Sequence, residues 1–285
     1  MKQKRWRMVK ATLKFFAILP LPINHIFGAM IGIFLSITPN TTKKIVSTNI
    51  NTCFPDLGPY KKKKLIRKTL IETGKSFTES GFIWFNNFSD NSKCISEIIG
   101  LEHIDSDQPA ILLVPHFGCW EITGRVLSLT RPVTFLYKPL KNKRFEELLF
   151  SLRQQGDLSM ASADKKGVAQ VQRALNNKQL VGILPDQNPG GEGGVFAPFF
   201  SQKVRTMTLL VKLARKSDTK VLMTWAERLK HGKGYKLNLK PINVLSDTGK
   251  IEDDVATMNK EIESLIRTIP EQYLFNYNRF KSAIK

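Results

Sequence analysis

His116 and Glu121 stand five residues apart in VPHFGCWEI, directly after the apolar run PAILLVP (Pro109–Pro115). On one continuous helix such a pair would point roughly 140° apart, because each residue advances about 100°. The two side chains can therefore meet only if the chain turns between them. The spacing predicts His116 at the end of a buried strand and Glu121 in the first turn of the following helix. Glu121 would then accept the proton of one ring nitrogen and fix the tautomer. The other nitrogen is left to take a proton from a substrate hydroxyl. The same spacing also fits a partly buried histidine satisfied by a nearby acid.

Other residues could carry chemistry. Pro185–Gly194 (PDQNPGGEGG) follows the apolar run QLVGIL, so Asp186 and Gln187 would stand at the carboxyl edge of a sheet. The GK[ST] ending of a P-loop is missing, and a plain loop with Asp186 capping a turn fits equally well. In Tyr137–Gly156, Lys138, Lys141, Lys143, Arg144 and Arg153 could hold phosphates or polarise a carbonyl, or line a solvated helix face. Cys119 lies between His116 and Glu121, but a thiol nucleophile needs the base aimed at its sulfur. His103, beside Glu102, precedes the strand and reads as structural.

Composition narrows the partners. The 285 residues carry a net charge of +20, which favours polyanions: nucleic acid, anionic lipid headgroups or an acidic protein. No RNA- or DNA-binding motif is evident. Three scattered cysteines (Cys53, Cys94, Cys119) and four histidines without ligand spacing give no disulfide framework and no metal signal.

The elements that must position these groups follow from periodicity. Short apolar runs at 110–114, 133–137, 180–184, 220–225 and 235–239 read as strands. Helical stretches fall near 120–129, 142–154, 167–176, 207–216 and 252–268. The alternation predicts an α/β fold, a mainly parallel sheet between helices, with a core from 101 to 285. Residues 41–100 read as a helical segment. There Ile66, Leu70, Phe77, Trp84 and Phe88 recur at helical steps behind the basic run Lys61–Lys64. Residues 1–40 are basic, then apolar. The cleaner part, 26–37, is shorter than the roughly 20 residues needed to span a bilayer. Basic residues flank both sides (Lys2, Lys4, Arg5, Arg7 and Lys10 before, Lys43 and Lys44 after). An interfacial or re-entrant membrane anchor with both ends cytoplasmic is expected. A cleaved signal peptide is disfavoured by the internal prolines, and a buried helical hairpin is the alternative.

Six segments in order, VPHFGCWE, YKPLKN, KKGVAQVQRAL, PDQNPGGEGGVFAPFF, TMTLLVKLARKS and PEQYLFNYNRFK, resemble the bacterial lipid A biosynthesis acyltransferases, the late lauroyl/myristoyl transferases. The resemblance runs from about residue 10 to the C-terminus. It implies a glycerolipid-acyltransferase-like mixed sheet flanked by helices, and an inner-membrane protein with its active site facing the cytoplasm. It implies transfer of a fatty acyl chain from acyl carrier protein to a hydroxyl of a lipid A precursor, with no cofactor or metal. His116 and Glu121 would be the catalytic dyad. Arg153, Asp186, Gln187, Lys138 and Asn142 would bind substrate. Two departures stand out: Lys138 replaces a frequent arginine, which weakens a bidentate role. Phe275-Asn276-Tyr277-Asn278-Arg279-Phe280 also differs from the usual Trp-x-His-x-Arg-Phe.

The charge fits such substrates, since acyl carrier protein is acidic and the acceptor carries phosphates. A glycerolipid or other glycolipid acceptor would keep the chemistry. A basic membrane- or nucleic-acid-binding protein without catalysis would use the charge alone.

Overall fold

The computed structural model describes residues 2–104, 107–140, 142–190, 193–217 and 219–281, with side chains from residue 8 onward. The side chains of Lys2, Lys4, Arg5 and Arg7, residue Lys141, and Gly191 and Glu192 of the glycine-rich loop lie outside the described residues.

Five helices come first: α1 (Lys2–Ala17), α2 (Leu21–Ile37), α3 (Thr41–Cys53), α4 (Pro59–Phe85) and the short α5 (Phe88–Ser92). Asn40 caps α3, its side chain accepting the Lys43 N–H at 2.8 Å. α2 lies against α4 through glycines. A Cβ on Gly74 would sit 2.1 Å from the Gly28 carbonyl oxygen, so the missing side chains let the two backbones touch. The opposite side of α2 leaves Ile26, Met30, Phe34 and Ile37 exposed. No single described helix is long and apolar enough to cross a membrane. α2 and α3 pass that test only as a pair bent by 81°.

The sheet elements follow: β1 (Ile95–Ile99), β2 (Ala110–Leu113), α6 (Trp120–Leu127), β3 (Val133–Tyr137), α7 (Lys143–Arg153), β4 (Leu158–Ser162), α8 (Lys165–Asn176) and β5 (Leu180–Ile183). After them come β6 (Gly194–Phe199), β7 (Gln202–Met207), α9 (Leu209–Ser217), β8 (Val221–Arg228), β9 (Tyr235–Ile242) and α10 (Ile251–Thr268). Seven strands pair in the order β1-β9-β8-β2-β5-β3-β4, parallel except for the antiparallel β8–β9 pair. This is a mixed α/β fold with a parallel-dominated sheet flanked by helices.

The central strands are buried on both faces. Ile111 and Leu113 of β2 enter one hydrophobic cluster, with α3, α8, α9 and α10. Ala110 and Leu112 enter the other, with α1, α4, α6 and α7. A strand covered on both faces reads as an unbroken apolar run, which is why 110–114 and 180–184 stood out. β1 and β4 did not. They are the edge strands, short and serine-bearing, with incompletely buried residues. The hairpin β6–β7 was also unforeseen. Its turn residues Phe200 and Ser201 take positive φ (46° and 63°) without the Asn-Gly or Asp-Gly that usually marks such a turn. Tertiary contacts hold it instead. The Phe200 N–H donates to Glu263 at 2.7 Å, and Arg267 lies over the Phe200 ring.

Candidate active site

β2 and β5 are parallel neighbours, with Leu113 opposite Ile183. Three residues beyond each of these come His116 and Asp186, so equal offsets carry the two side chains to the same place above the sheet. Asp186 holds His116 twice. The backbone N–H of His116 donates to Oδ2 at 3.0 Å, and ring Nδ1 pairs with Oδ1 at 2.8 Å. The expected partner of the ring was Glu121; the structure puts Asp186 there. Beside an ionised carboxylate Nδ1 is the nitrogen that carries the proton, which leaves the ring's lone pair on Nε2. Burial raises the Asp186 pKa, but His116, through its charge and both hydrogen bonds, brings it below the usual carboxylate value.

The strand–turn–helix course from His116 to Glu121 is as expected, and its turn is tightly pinned. Gly118 has φ +57°, and a Cβ there would lie 2.0 Å from the Ala226 carbonyl oxygen. The Gly118 N–H donates to the Gln272 carbonyl, the Cys119 N–H to the Ala226 carbonyl, and the Leu274 N–H to the His116 carbonyl, at 2.9, 2.9 and 3.0 Å. The Cys119 amide is thus already committed. Its thiol is buried and pushed up in pKa by that burial, and it does not line the cavity described below.

Glu121 opens α6 and faces a different set of partners. Arg153, the last residue of α7, donates from Nε to Oε2 at 3.0 Å and from Nη2 to Oε1. Trp84 at the end of α4 donates from Nε1 to Oε2 at 2.9 Å. Burial raises the Glu121 pKa, yet the Arg153 guanidinium more than offsets this and holds the carboxyl below its ordinary value. The pair fixes the end of α7 against the start of α6.

One cavity of about 690 Å³ brings most of these groups together: His116, Trp120, Glu121, Lys138, Arg153 and Gln187 line it. Phe135, Leu158 and Met160 form an apolar recess in its wall. The Phe135 ring occupies space left by Gly124 and Gly182, where added Cβ atoms would lie 2.8 and 2.4 Å from it. Lys138 donates to the Pro189 carbonyl at 3.0 Å. Asp186 sits beneath the cavity wall, behind His116. Asn142 is not brought in. It caps α7, its side chain accepting the Phe145 N–H. His103 lies elsewhere, near Glu102 at 3.7 Å.

Sequence reasoning missed a buried ionic network behind the turn. Arg228 at the end of β8 binds Glu79 from Nε (2.9 Å) and Nη2, Glu72 at 2.7 Å and the Gly118 carbonyl at 3.1 Å. His25 and Tyr235 add contacts to Glu79 at 3.1 and 3.0 Å. Glu72 and Glu79 are seven residues apart, two turns of one helix face, a spacing that could have drawn notice. The His116–Asp186 pair also had a visible signal. ILLVPH and VGILPD share the pattern of apolar strand, proline and titratable residue.

Comparisons with known proteins place the sequence in a family. A family model described as bacterial lipid A biosynthesis acyltransferase matches residues 2–282. The chain is similar to the lipid A biosynthesis lauroyltransferase of Escherichia coli K12, 30% identical over 269 residues, covering 93% of this chain and 87% of that protein. The palmitoleoyltransferase of the same organism is 29% identical with the same coverage. A lipid A biosynthesis acyltransferase of Haemophilus influenzae is 27% identical over 268 residues, covering 92% and 83%. With a match along nearly its whole length, the chain belongs to the bacterial lipid A biosynthesis acyltransferase family.

Proposed function

We propose that this protein transfers a fatty acyl chain from the thioester of acyl carrier protein to a hydroxyl of a lipid A precursor, at the cytoplasmic face of the inner membrane. The carrying observation is that His116, oriented by Asp186, shares one cavity with the Glu121–Arg153 pair and an apolar recess. His116 Nε2 takes the proton of the acceptor hydroxyl, and the oxygen attacks the thioester carbonyl carbon. Negative charge develops on the carbonyl oxygen, where the remaining N–H of Arg153 stabilises it. The intermediate collapses, the C–S bond breaks, and the leaving sulfur takes the proton back from His116. The products are an ester and a thiol. A thioester is already activated, so the residues supply proton transfer and charge stabilisation without a cofactor. The acyl chain lies in the recess toward Phe135, and Lys138 and Gln187 contact polar parts of the substrates.

The acceptor is a lipid, and the exposed apolar side chains of α2 and of the turn before it support binding at the membrane surface. Ile18, Ile26, Met30, Phe34 and Ile37 are exposed, a set of apolar side chains suited to a membrane interface. Lys61–Lys64 at the start of α4 are suited to anionic headgroups.

The test is transfer of labelled acyl groups from acyl carrier protein to a Kdo-bearing tetra-acyl lipid A precursor, beside His116→Ala and Glu121→Ala. Product from wild type and little from either folded variant is expected. Transfer only to a glycerolipid or another glycolipid would keep the mechanism and reject the acceptor. Undiminished transfer by both variants would sink the site.

A further inference from the structure

We infer that the basic rim where the β3–α7 and β4–α8 loops leave the sheet docks the acidic carrier protein that delivers the thioester, an inference that rests on the donor assigned above. β3 and β4 are parallel neighbours, with Tyr137 opposite Ser162, and the Ala163 N–H donates to the Tyr137 carbonyl at 2.8 Å. Their loops therefore emerge side by side at the carboxyl edge. The first loop places Lys138 and Leu140 on the cavity and then starts α7 with Lys143 and Arg144. The second places Ala163 on the cavity, starts α8 with Lys165 and Lys166, and returns to the cavity at Val168. Lys212 of α9 lines the cavity as well.

All six cations are exposed, and among the described residues none forms an ion pair. Nearby carboxylates are occupied. Asp164 accepts the Gly167 N–H at 2.9 Å and the Ser162 hydroxyl at 2.7 Å, and Glu146 accepts the Leu140 N–H at 2.8 Å. Glu147 is the exposed acid of α7. The placement also works against folding. Paired cations at the first turns of α7 and α8 oppose the helix dipoles, which favour negative charge there. Charge that local structure does not reward suits an external anionic partner.

A protein, rather than a lipid surface, fits this rim by position. The rim belongs to β3 and β4, at one end of the strand order. The exposed apolar helix α2 packs near the other end, where Pro22 meets Gly232 between β8 and β9. A carrier on the rim can hand its thioester into the cavity while α2 faces the bilayer.

The test uses the full chain with Lys143, Arg144, Lys165 and Lys166 all changed to Glu, beside a control with Lys61–Lys64 changed to Glu. Binding of acyl carrier protein, binding to anionic phosphatidylglycerol vesicles, and transfer from both acyl carrier protein and an uncharged acyl-pantetheine thioester are measured. The rim variant is expected to lose roughly tenfold or more in carrier affinity, with a matching rise in KM for that donor. Transfer from acyl-pantetheine and carrier binding by the control stay at wild-type levels. Unchanged carrier affinity in the rim variant overturns the inference, as does equal loss in both variants. Loss of vesicle binding with carrier affinity intact assigns the rim to lipid and overturns it too. Rim-dependent carrier binding by a wild type that transfers from neither thioester would uphold the docking surface and remove the acyltransferase reading instead.

Discussion

Asp186 grips His116 at two points, the backbone N–H at 3.0 Å and ring Nδ1 at 2.8 Å, across 70 residues of sequence. The two contacts fix both the position and the tautomer of the imidazole. Asp186→Asn keeps the shape and removes the charge. Its amide can also donate to Nδ1, which moves the ring proton to Nε2 and disables the base. The expected loss in kcat is roughly 100- to 10,000-fold with little change in KM. Steady-state transfer by a variant whose thermal melt matches wild type checks this.

Arg153 keeps Glu121 charged in a buried position, and its removal has a pH signature. The Glu121 pKa is depressed in the folded protein. Its stabilising contribution is therefore present above the ordinary glutamate value and lost as pH falls through the folded one. In Arg153→Ala burial acts without its counterweight, and the Glu121 pKa rises. The variant should lose on the order of 1–3 kcal/mol at neutral pH, a buried-pair effect reduced by the partial exposure of both groups. That deficit should begin to shrink as pH falls through the variant's raised Glu121 pKa and go on shrinking down through the wild type's depressed one. Chemical denaturation across pH measures it, and a deficit that grows on acidification would contradict this assignment.

Phe135 closes the apolar recess against Gly124 and Gly182. Phe135→Leu deepens it and should shift preference toward longer acyl donors. Gly182→Ala would push the ring into the recess and favour shorter ones. Competition between donors of graded length, read by mass spectrometry of the product, reports both shifts. An unchanged product distribution in both variants would place the acyl chain elsewhere.

The exposed face of α2 makes a prediction about membranes. Met30→Glu with Phe34→Glu adds two charges at exposed positions, so the fold should persist. Vesicle affinity, read by co-flotation over a lipid titration, should fall by roughly a hundredfold or more, since each buried apolar side chain contributes about 1.5–3 kcal/mol and about 1.4 kcal/mol is tenfold. Transfer to a detergent-dispersed acceptor should be spared. Flotation equal to wild type would separate this face from the bilayer.

Much of the fold was legible because its signals are local. β2 and β5 are apolar throughout and β3 mostly so, and α6 to α10 repeat at helical steps, since each residue's neighbours along the chain set those patterns. The turn between His116 and Glu121 followed from helix geometry alone. The edge strands β1 and β4 were hidden because incomplete burial tolerates polar residues. The hairpin turn at Phe200 and Ser201 was hidden because Glu263 and Arg267, far along the chain, stabilise it. Asn142 had the chemistry of a ligand, but its place before α7 made it a cap. The choice of Asp186 over Glu121 as the partner of His116 belonged to the tertiary structure. The sequence by itself determined that a histidine, two carboxylates and an arginine would stand at strand and helix ends. Only the register of β2 against β5, and the docking of α7 on α6, decided which carboxylate met which base. Strand pairing acts between segments 70 residues apart, so the matching patterns ILLVPH and VGILPD could hint at the pair but not set its register.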